Sequence, residues 1–259
     1  MVVLFAQGQL SAQPGDRGIS VSPVQALLSA KAPTQTLTLR NRSDKPIRFQ
    51  LRAFAWQEGS QGETKLTTTK DILFFPRLLV VGPREERKIR IGCATPFASV
   101  EKSYRVVLNQ LPPLERTSEQ SQQVMALLRI SIPIFLQPAR PFPQGQVDGL
   151  TVEHSRFSFQ VRNTGNVHLR VQSIRVKGLG LSGNPAFDRQ VAGWYVLPGG
   201  VRVYRMEIPK AECAAMKSLT VEAKSQGISL NGQIEMRPGS CAVRAKTKAG
   251  LVRLRAQEE

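Results

Sequence analysis

Cysteine, histidine and long apolar runs are scarce in this sequence, and each shortage excludes a class of protein. Three cysteines in 259 residues are too few for a disulfide-dense scaffold, and 20 glycines exclude a collagen-like repeat. No run of about 18 apolar residues occurs, so no segment is predicted to cross a membrane as a helix. Hydrophobic residues nevertheless make up 41% of the chain, which excludes a wholly disordered protein.

Patterns that carry enzyme chemistry are also lacking. His154 and His168 form no metal-ligand spacing with cysteines or carboxylates, and no CxxC pair is present. Gly178 to Gly183 (GLGLSG) has GxGxxG spacing without a following helix, so we predict a flexible hairpin tip there rather than a phosphate loop. Cys93 has no histidine paired with it in the sequence, which argues against a catalytic thiol. We therefore predict no enzyme activity, no metal and no cofactor.

Charge is the first unusual property that the sequence does have. The chain carries 36 Lys and Arg against 19 Asp and Glu, a formal net charge of +17. Such an excess favours polyanions, anionic membrane surfaces or acidic protein partners. It is spread over both halves of the chain, whereas a nucleic-acid-binding protein usually concentrates it in one patch. Charge alone therefore names no partner, and binding to nucleic acid stays only as a minor alternative.

Alternation of apolar and basic residues dominates the first half. Residues 36–39, 47–56 and 88–91 alternate with period two, which predicts half-buried antiparallel strands with basic outer faces. Turn-forming clusters at 42–46 and 58–62 separate these strands. No segment has a convincing helical period, so the fold class predicted is all-β.

A second set of strands follows a proline-rich segment. Leu136 to Gly145 (LQPARPFPQG) holds three prolines and is interpreted as a stiff linker. The strands predicted beyond it cover residues 156–163, 167–176, 194–197, 201–208, 218–223 and 228–236. The prediction is thus two immunoglobulin-like β-sandwich domains joined by this linker.

The domain boundaries follow from these patterns. Residues 1–18 are interpreted as a signal-peptide remnant or a flexible N-terminus. The N-terminal domain is assigned to 19–137, the linker to 138–145 and the C-terminal sandwich to 146–241. Residues 242–259, which include five Lys and Arg, are interpreted as a solvated basic tail.

One predicted strand is exceptional because both of its faces are apolar. Val124 to Leu136 reads VMALLRISIPIFL, with Arg129 as its only charge. At the edge of an isolated sandwich such a strand would promote aggregation. Either the strand is fully central in its sheet, or its second face is meant for another polypeptide.

Two cysteines share the second half of the chain. In an oxidising compartment Cys213 and Cys241 could close a loop, and such a disulfide contributes about 3–4 kcal/mol in the chain-entropy model. Two unpaired buried thiols are an equally good interpretation, and the sequence leaves both open.

Several motifs follow one another in a fixed order along the chain: Ile19 to Val24 (ISVSPV), Leu37 to Asn41 (LTLRN), Phe75 to Ile91 (FPRLLVVGPREERKIRI), Tyr104 to Pro112 and Val124 to Pro138. Over about residues 19–240, this order resembles the periplasmic pilus-assembly chaperones of chaperone–usher systems. Each motif is weak by itself, and their common order is what makes the resemblance specific.

The resemblance implies a function for the exceptional strand. Chaperones of this family lend their seventh strand to a pilin that lacks its own last strand, and deliver the pilin to an outer-membrane usher. The matching donor side chains are Val124, Ala126, Leu128 and Ile130, with Ile132 as an extension. The alternative is that these side chains only face their own core. The resemblance also implies a periplasmic location and no nucleic acid or small-molecule substrate, while self-association of the empty chaperone stays open.

The sequence departs from the family at the residues that usually hold the pilin's terminal carboxylate. Gln25 and Pro133 stand where the family has two basic residues. Arg90 and Arg140 are the first candidates to replace them. This departure favours the archaic branch of the family or a chaperone-like paralogue. A two-domain surface or scaffold protein without chaperone activity is the alternative function.

Overall fold

A computed structural model describes residues 18–59, 62–113 and 126–241, and nearly all of their regular structure is β. This confirms the all-β prediction. No helix in these ranges is both long enough and apolar enough to span a lipid bilayer.

The chain divides into two compact units. The first unit comprises Met1–Pro143 and Gly165–His168, and the second comprises Gln144–Thr164 and Leu169–Glu259. The change of unit after Pro143 falls within the segment predicted as the linker. No sequence pattern indicated that residues 165–168 would belong to the first unit.

Within the described residues, ten strands build the first unit. They are β1 (Ile19–Ser22), β2 (Ala26–Leu28), β3 (Thr34–Asn41), β4 (Ile47–Glu58), β5 (Thr64–Thr68), β6 (Ile72–Phe75), β7 (Leu78–Val81), β8 (Glu86–Cys93), β9 (Lys102–Gln110) and β10 (Arg129–Leu136). One sheet has the order β1-β3-β8-β6, and the other has the order β2-β10-β9-β4-β5 with β7 also paired to β4.

Alternation along these strands creates the core between the two sheets. In β4, Phe49, Leu51 and Ala53 are buried in the core, while Arg52 between them is exposed. Apolar residues on only one face of each strand are typical of a sandwich in which the other face is open to water. The basic excess of the first half is therefore carried largely by outer faces.

The exceptional apolar strand is shorter than the sequence predicted. β10 begins at Arg129, because residues 126–128 do not pair as a regular strand. Val124 lies outside the described residues. The strand is central only at its end, where β9 and β2 flank it.

Up to residue 241, where the described part of the chain ends, eight strands and one short helix build the second unit. They are β11 (Gly145–Glu153), β12 (Arg156–Asn163), β13 (Leu169–Gly180), β14 (Pro185–Ala192), β15 (Tyr195–Val196), β16 (Val201–Glu207), α1 (Lys210–Ala215), β17 (Met216–Ser225) and β18 (Ile228–Glu235). The sheets have the orders β11-β12-β16 and β14-β13-β17-β18, with β15 paired to β13.

The hairpin tip predicted at 178–183 begins later in the structure. β13 continues through Gly178 and Gly180, so that part of the prediction is wrong. The turn itself lies just beyond, where Gly183 adopts a positive φ of 81° that favours glycine. The two strand glycines fit because their neighbours are close: a Cβ at Gly178 would collide with the side chains of Met216 and Phe187.

The two cysteines of the second unit form a disulfide. Cys213, buried in α1, is bonded to Cys241, which follows β18. Cys93, in the first unit, is free and half-buried. The disulfide therefore ties the chain after the last strand to the helix that precedes β17.

Candidate functional site

β10 has one edge that is only partly occupied. β9 pairs antiparallel with the whole of Arg129–Leu136, whereas β2 pairs in parallel only with Ile134, Phe135 and Leu136. Within the described parts of the chain, no strand pairs with residues 129–133 on the side opposite β9. This stretch is called the open edge below.

The backbone polar groups along the open edge can be assigned from the neighbouring hydrogen bonds. The N–H of Gln137 donates to the carbonyl of Leu28 at 2.8 Å, so position 137 directs its backbone towards β2. Because backbone direction alternates along a strand, Arg129 and Ser131 direct their N–H and C=O groups along the open edge. Pro133 lacks an N–H and occupies a position on this side, where proline removes no ladder hydrogen bond. The edge can therefore accept a further strand.

Side chains on the inner face of β10 change from buried to exposed along one line. Ile134 and Ile132 are 0% and 2% exposed and pack in the core, and Ile130 packs against the same core half-buried. Beyond them Leu128 is 47% exposed, and Ala126 is exposed too. The apolar face thus extends beyond the core that it fills. We call Ala126, Leu128 and Ile130 the donor stripe.

Leu128 stays attached to β9 although it precedes the strand. Its carbonyl accepts a hydrogen bond from the N–H of Gln110 at 2.9 Å, and its own N–H donates to Oε1 of Gln110 at 3.0 Å. These two bonds hold the donor stripe in line with β10. An apolar side chain is thereby kept in a fixed place at the surface.

The outer face of the same sheet carries a cluster that sequence reasoning missed. The Arg105 guanidinium lies 3.8 Å from the centroid of the Trp56 ring, and its Nη1 donates to Oγ of Ser131 at 3.3 Å. Arginine over tryptophan is a favourable cation–π contact. The cluster places the positive charge of Arg105, which lies on β9 one strand away from the open edge, against Ser131. Its members are far apart in sequence. Only the alternation of residues along each strand, which places these side chains on the outer face, could have indicated the cluster.

A second missed cluster lies at the other end of β10. Nδ1 of His168 lies 2.8 Å from Oε1 of Glu101, and the carboxylate of Glu101 is fully buried. The imidazole stacks on the Phe135 ring with centroids 3.6 Å apart. His168 is therefore a structural residue of the first unit, and no motif around it in the sequence indicated this.

The remaining predicted site residues are dispersed. Arg90 lies on β8, exposed on the outer face of the other sheet, and is not brought together with β10. Arg140 is exposed in the segment after β10, where its carbonyl accepts a hydrogen bond from Asn166. Gln25 directly precedes β2, and Pro133 is buried on β10. Ile132, expected as an extension of the donor side chains, fills the core of its own unit.

Three comparisons place the chain among known proteins. Residues 18–141 match the family of pili and flagellar-assembly chaperones, PapD N-terminal domain. A search of curated proteins by sequence finds no match. Among solved structures, many chains share the fold.

Two structures show how far the similarity extends. One is a chain of the CsuC–CsuE chaperone–tip adhesion subunit pre-assembly complex from archaic chaperone–usher Csu pili of Acinetobacter baumannii, with a TM-score of 0.57 and 16% identity; the match covers 84% of this chain and 98% of that one. The other is a chain of the Salmonella enterica SafA pilin–SafB chaperone complex, with a TM-score of 0.56 and 12% identity; it covers 84% and 97%. At these identities the similarity shows the fold alone.

The family and the fold agree with each other. The match to the N-terminal domain spans the first unit almost completely, and the structural matches extend over both sandwiches. The first domain, over residues 18–141, therefore belongs to the family of pili and flagellar-assembly chaperones, and the chain shares the fold of pilus chaperones of the chaperone–usher pathway. Proteins of this family and fold are not enzymes. The described residues also contain no group of His, Cys, Asp and Glu side chains placed to hold a metal ion.

Proposed function

We propose that this protein is a periplasmic chaperone that binds a pilin subunit by lending it β10 and the donor stripe. The observation that carries the proposal is the gradient of exposure along one face, from Ile134 at 0% to Leu128 at 47%. A second polypeptide would continue the sheet at the open edge and cover Ala126, Leu128 and Ile130. In strand addition of this kind, main-chain hydrogen bonds give affinity and alternate side chains fill pockets.

 Val124 lies outside the described residues, and Ile132 already fills its own core, so the proposed contact centres on the three side chains of the donor stripe. Because the side chain of Leu128 contributes little to the core of its unit, we expect its substitution to affect pilin binding rather than folding.

The decisive experiment is capture of a co-expressed pilin subunit by chain variants. Leu128→Asp should abolish co-purification of the pilin, because an aspartate buried in the pilin groove would lie unpaired in an apolar site. Ile130→Asp should have the same effect. Leu73→Asp is the matched control, since Leu73 is 56% exposed on β6 in the other sheet. The control should capture the pilin as well as the unchanged protein does.

Urea unfolding of the same variants separates the two interpretations of this strand. Cooperative unfolding with unchanged stability, together with lost capture, supports strand donation by Leu128. Loss of folding in Leu128→Asp would instead favour a side chain that serves its own core. If Leu128→Asp captures pilin normally, the strand is assigned wrongly.

Delivery of the pilin to an outer-membrane usher is part of the same proposal. Support comes from the family to which the first domain belongs, and the disulfide between Cys213 and Cys241 fits an oxidising compartment such as the periplasm. Deleting the usher gene should leave the chaperone–pilin complex intact in the periplasm and abolish surface pili.

The anchor of the pilin's terminal carboxylate is proposed to be an arginine outside the family's usual positions. Arg140 is the preferred candidate because it follows β10 in the same unit and is exposed. Arg90 is the weaker candidate, since it projects from the outer face of the sheet that does not contain β10. A buried terminal carboxylate without a cation would be strongly unfavourable, so one such partner is expected.

A further inference from the structure

We infer that the segment bound at the open edge is acidic on the side that continues the outer face of the β10 sheet. This inference rests on the proposed strand addition and adds the chemistry of the partner. It would make the protein selective for cargo strands that alternate apolar and acidic residues. The observations that carry it are the charges on that outer face and their distance from the edge.

Arginine dominates the charged positions of this face. The outward positions of β4, β9 and β10 include Arg48, Arg52, Arg105 and Arg129, and the one carboxylate among them is Glu58 at the far end of β4. Arg52 and Arg129 are exposed, and neither lies within ion-pair distance of a carboxylate in the described part of the chain. The face therefore presents positive charge on the side towards Arg129.

Strand geometry fixes which of these charges an added strand would meet. Neighbouring strands lie about 4.8 Å apart, so outward side chains of the added strand would stand directly beside Arg129 and Ser131. Arg105 reaches towards the same place, because its Nη1 contacts Oγ of Ser131 at 3.3 Å. Arg52 stands on β4, two strands further from the open edge than β10.

Opposite charges directly across two strands attract, and like charges repel. An acidic side chain beside Arg129 is therefore favoured, and a lysine there is opposed by Arg129 and, at longer range, by Arg105 and Arg52. At low ionic strength screening extends over about 20–30 Å, so all three arginines act on the added strand. The inner face of the added strand would be apolar, since that face covers the donor stripe.

Two synthetic peptides test this inference on the whole 259-residue chain. Both would have about ten residues with the same valines and isoleucines on one face, one carrying three glutamates and the other three lysines on the opposite face. Acetylated and amidated ends remove the terminal charges, which separates this test from the terminal-carboxylate anchor. Fluorescence anisotropy would measure both affinities at about 0.02 M and about 0.5 M NaCl.

We expect the glutamate peptide to bind at least about fivefold more tightly at low salt, with the ratio shrinking at high salt. Arg129→Glu should abolish or invert the preference, and Arg52→Glu should reduce it. Lys88→Glu, on the exposed outer face of the other sheet, is the control and should leave the ratio unchanged.

Each other outcome overturns a defined part of the reasoning. Equal affinities, or tighter binding of the lysine peptide, overturn the acidic preference and leave strand addition standing. A preference that survives both Arg129→Glu and Arg52→Glu overturns its assignment to this face. Binding of neither peptide overturns the inference, and pilin capture by the unchanged protein then decides whether the proposed function fails with it.

Discussion

Oη of Tyr104 donates a hydrogen bond to Oδ2 of Asp71 at 2.8 Å, joining β9 to the turn before β6 inside the first unit. The ring belongs to the core and is 3% exposed. Burial, the hydrogen bond to Asp71 and the charge of that carboxylate raise the pKa of Tyr104 well above the ordinary value of a tyrosine. The phenol therefore keeps its proton in the folded state at a pH where the unfolded chain loses it.

Stability should consequently fall in alkaline solution. The contribution of Tyr104 is fully present below about pH 10, the pKa of an unfolded tyrosine, and is lost as pH rises towards the raised folded value. Tyr104→Phe should weaken this alkaline loss. At neutral pH it should also lower the free energy of unfolding by about 1 kcal/mol, because the variant lacks the hydrogen bond to Asp71. Urea unfolding between about pH 7 and pH 11 would measure both effects. A slope in Tyr104→Phe identical to that of the unchanged protein would contradict the assignment.

The second prediction concerns the thiols. Protein isolated from an oxidising compartment, denatured without reductant, should show one reactive thiol, that of Cys93, and three reactive thiols would contradict the pairing. Cys241→Ser should destabilise the second unit by about 2–5 kcal/mol, the usual cost of removing a native disulfide. Cys93→Ser is the control, since this half-buried thiol forms no disulfide.

A third prediction follows from a close backbone approach at Gly193. A Cβ at this position would lie 2.3 Å from the carbonyl oxygen of Val171, and backbone cannot move aside cheaply. Gly193→Ala should therefore destabilise the second unit by more than about 1 kcal/mol, as strained core substitutions do. Gly18→Ala has open space around it and should change the free energy of unfolding by less than about 0.5 kcal/mol. Similar values for the two variants would refute the predicted collision.

The fourth prediction tests the carboxylate anchor. Arg140→Glu should weaken pilin binding by more than about tenfold if this side chain holds the terminal carboxylate, because the reversed charge repels it. Arg90→Glu should show a smaller loss, given its place on the other sheet, and Arg255→Glu in the basic tail should show none. Titration calorimetry with a pilin ending in a free or an amidated carboxyl would isolate the effect. Equal, small losses at all three sites would exclude both arginines as anchors.

Strands with regular alternation could be predicted from the sequence, and irregular ones could not. β12 has the predicted bounds 156–163, because Phe157, Phe159 and Val161 alternate with polar residues. β11 was missed because its register shifts between Asp148 and Thr151 and breaks the alternation. β14 was missed because it is an edge strand with mostly exposed side chains.

The candidate site was predictable in part for the same physical reason. The donor stripe lies within a run whose apolar character is visible in the sequence, and family motifs indicated its role. The strand's true start at Arg129 could not be read from that run, because it depends on where pairing with β9 ends. Arg105 over Trp56 and Glu101 beside His168 join residues 49 and 67 positions apart, and no local pattern predicts such contacts.

The assignment of residues 165–168 to the first unit has a consequence for dissecting the protein. Their flanking strands, β12 and β13, belong to the second unit, so the polypeptide changes unit three times. Ending the chain at Pro143 would remove His168. The carboxylate of Glu101, whose side chain is 0% exposed, would then be buried without that partner. Neither domain can therefore be excised whole by a single cut. The stability measured for a truncated N-terminal fragment would therefore include the loss of these contacts as well as the intrinsic stability of the domain.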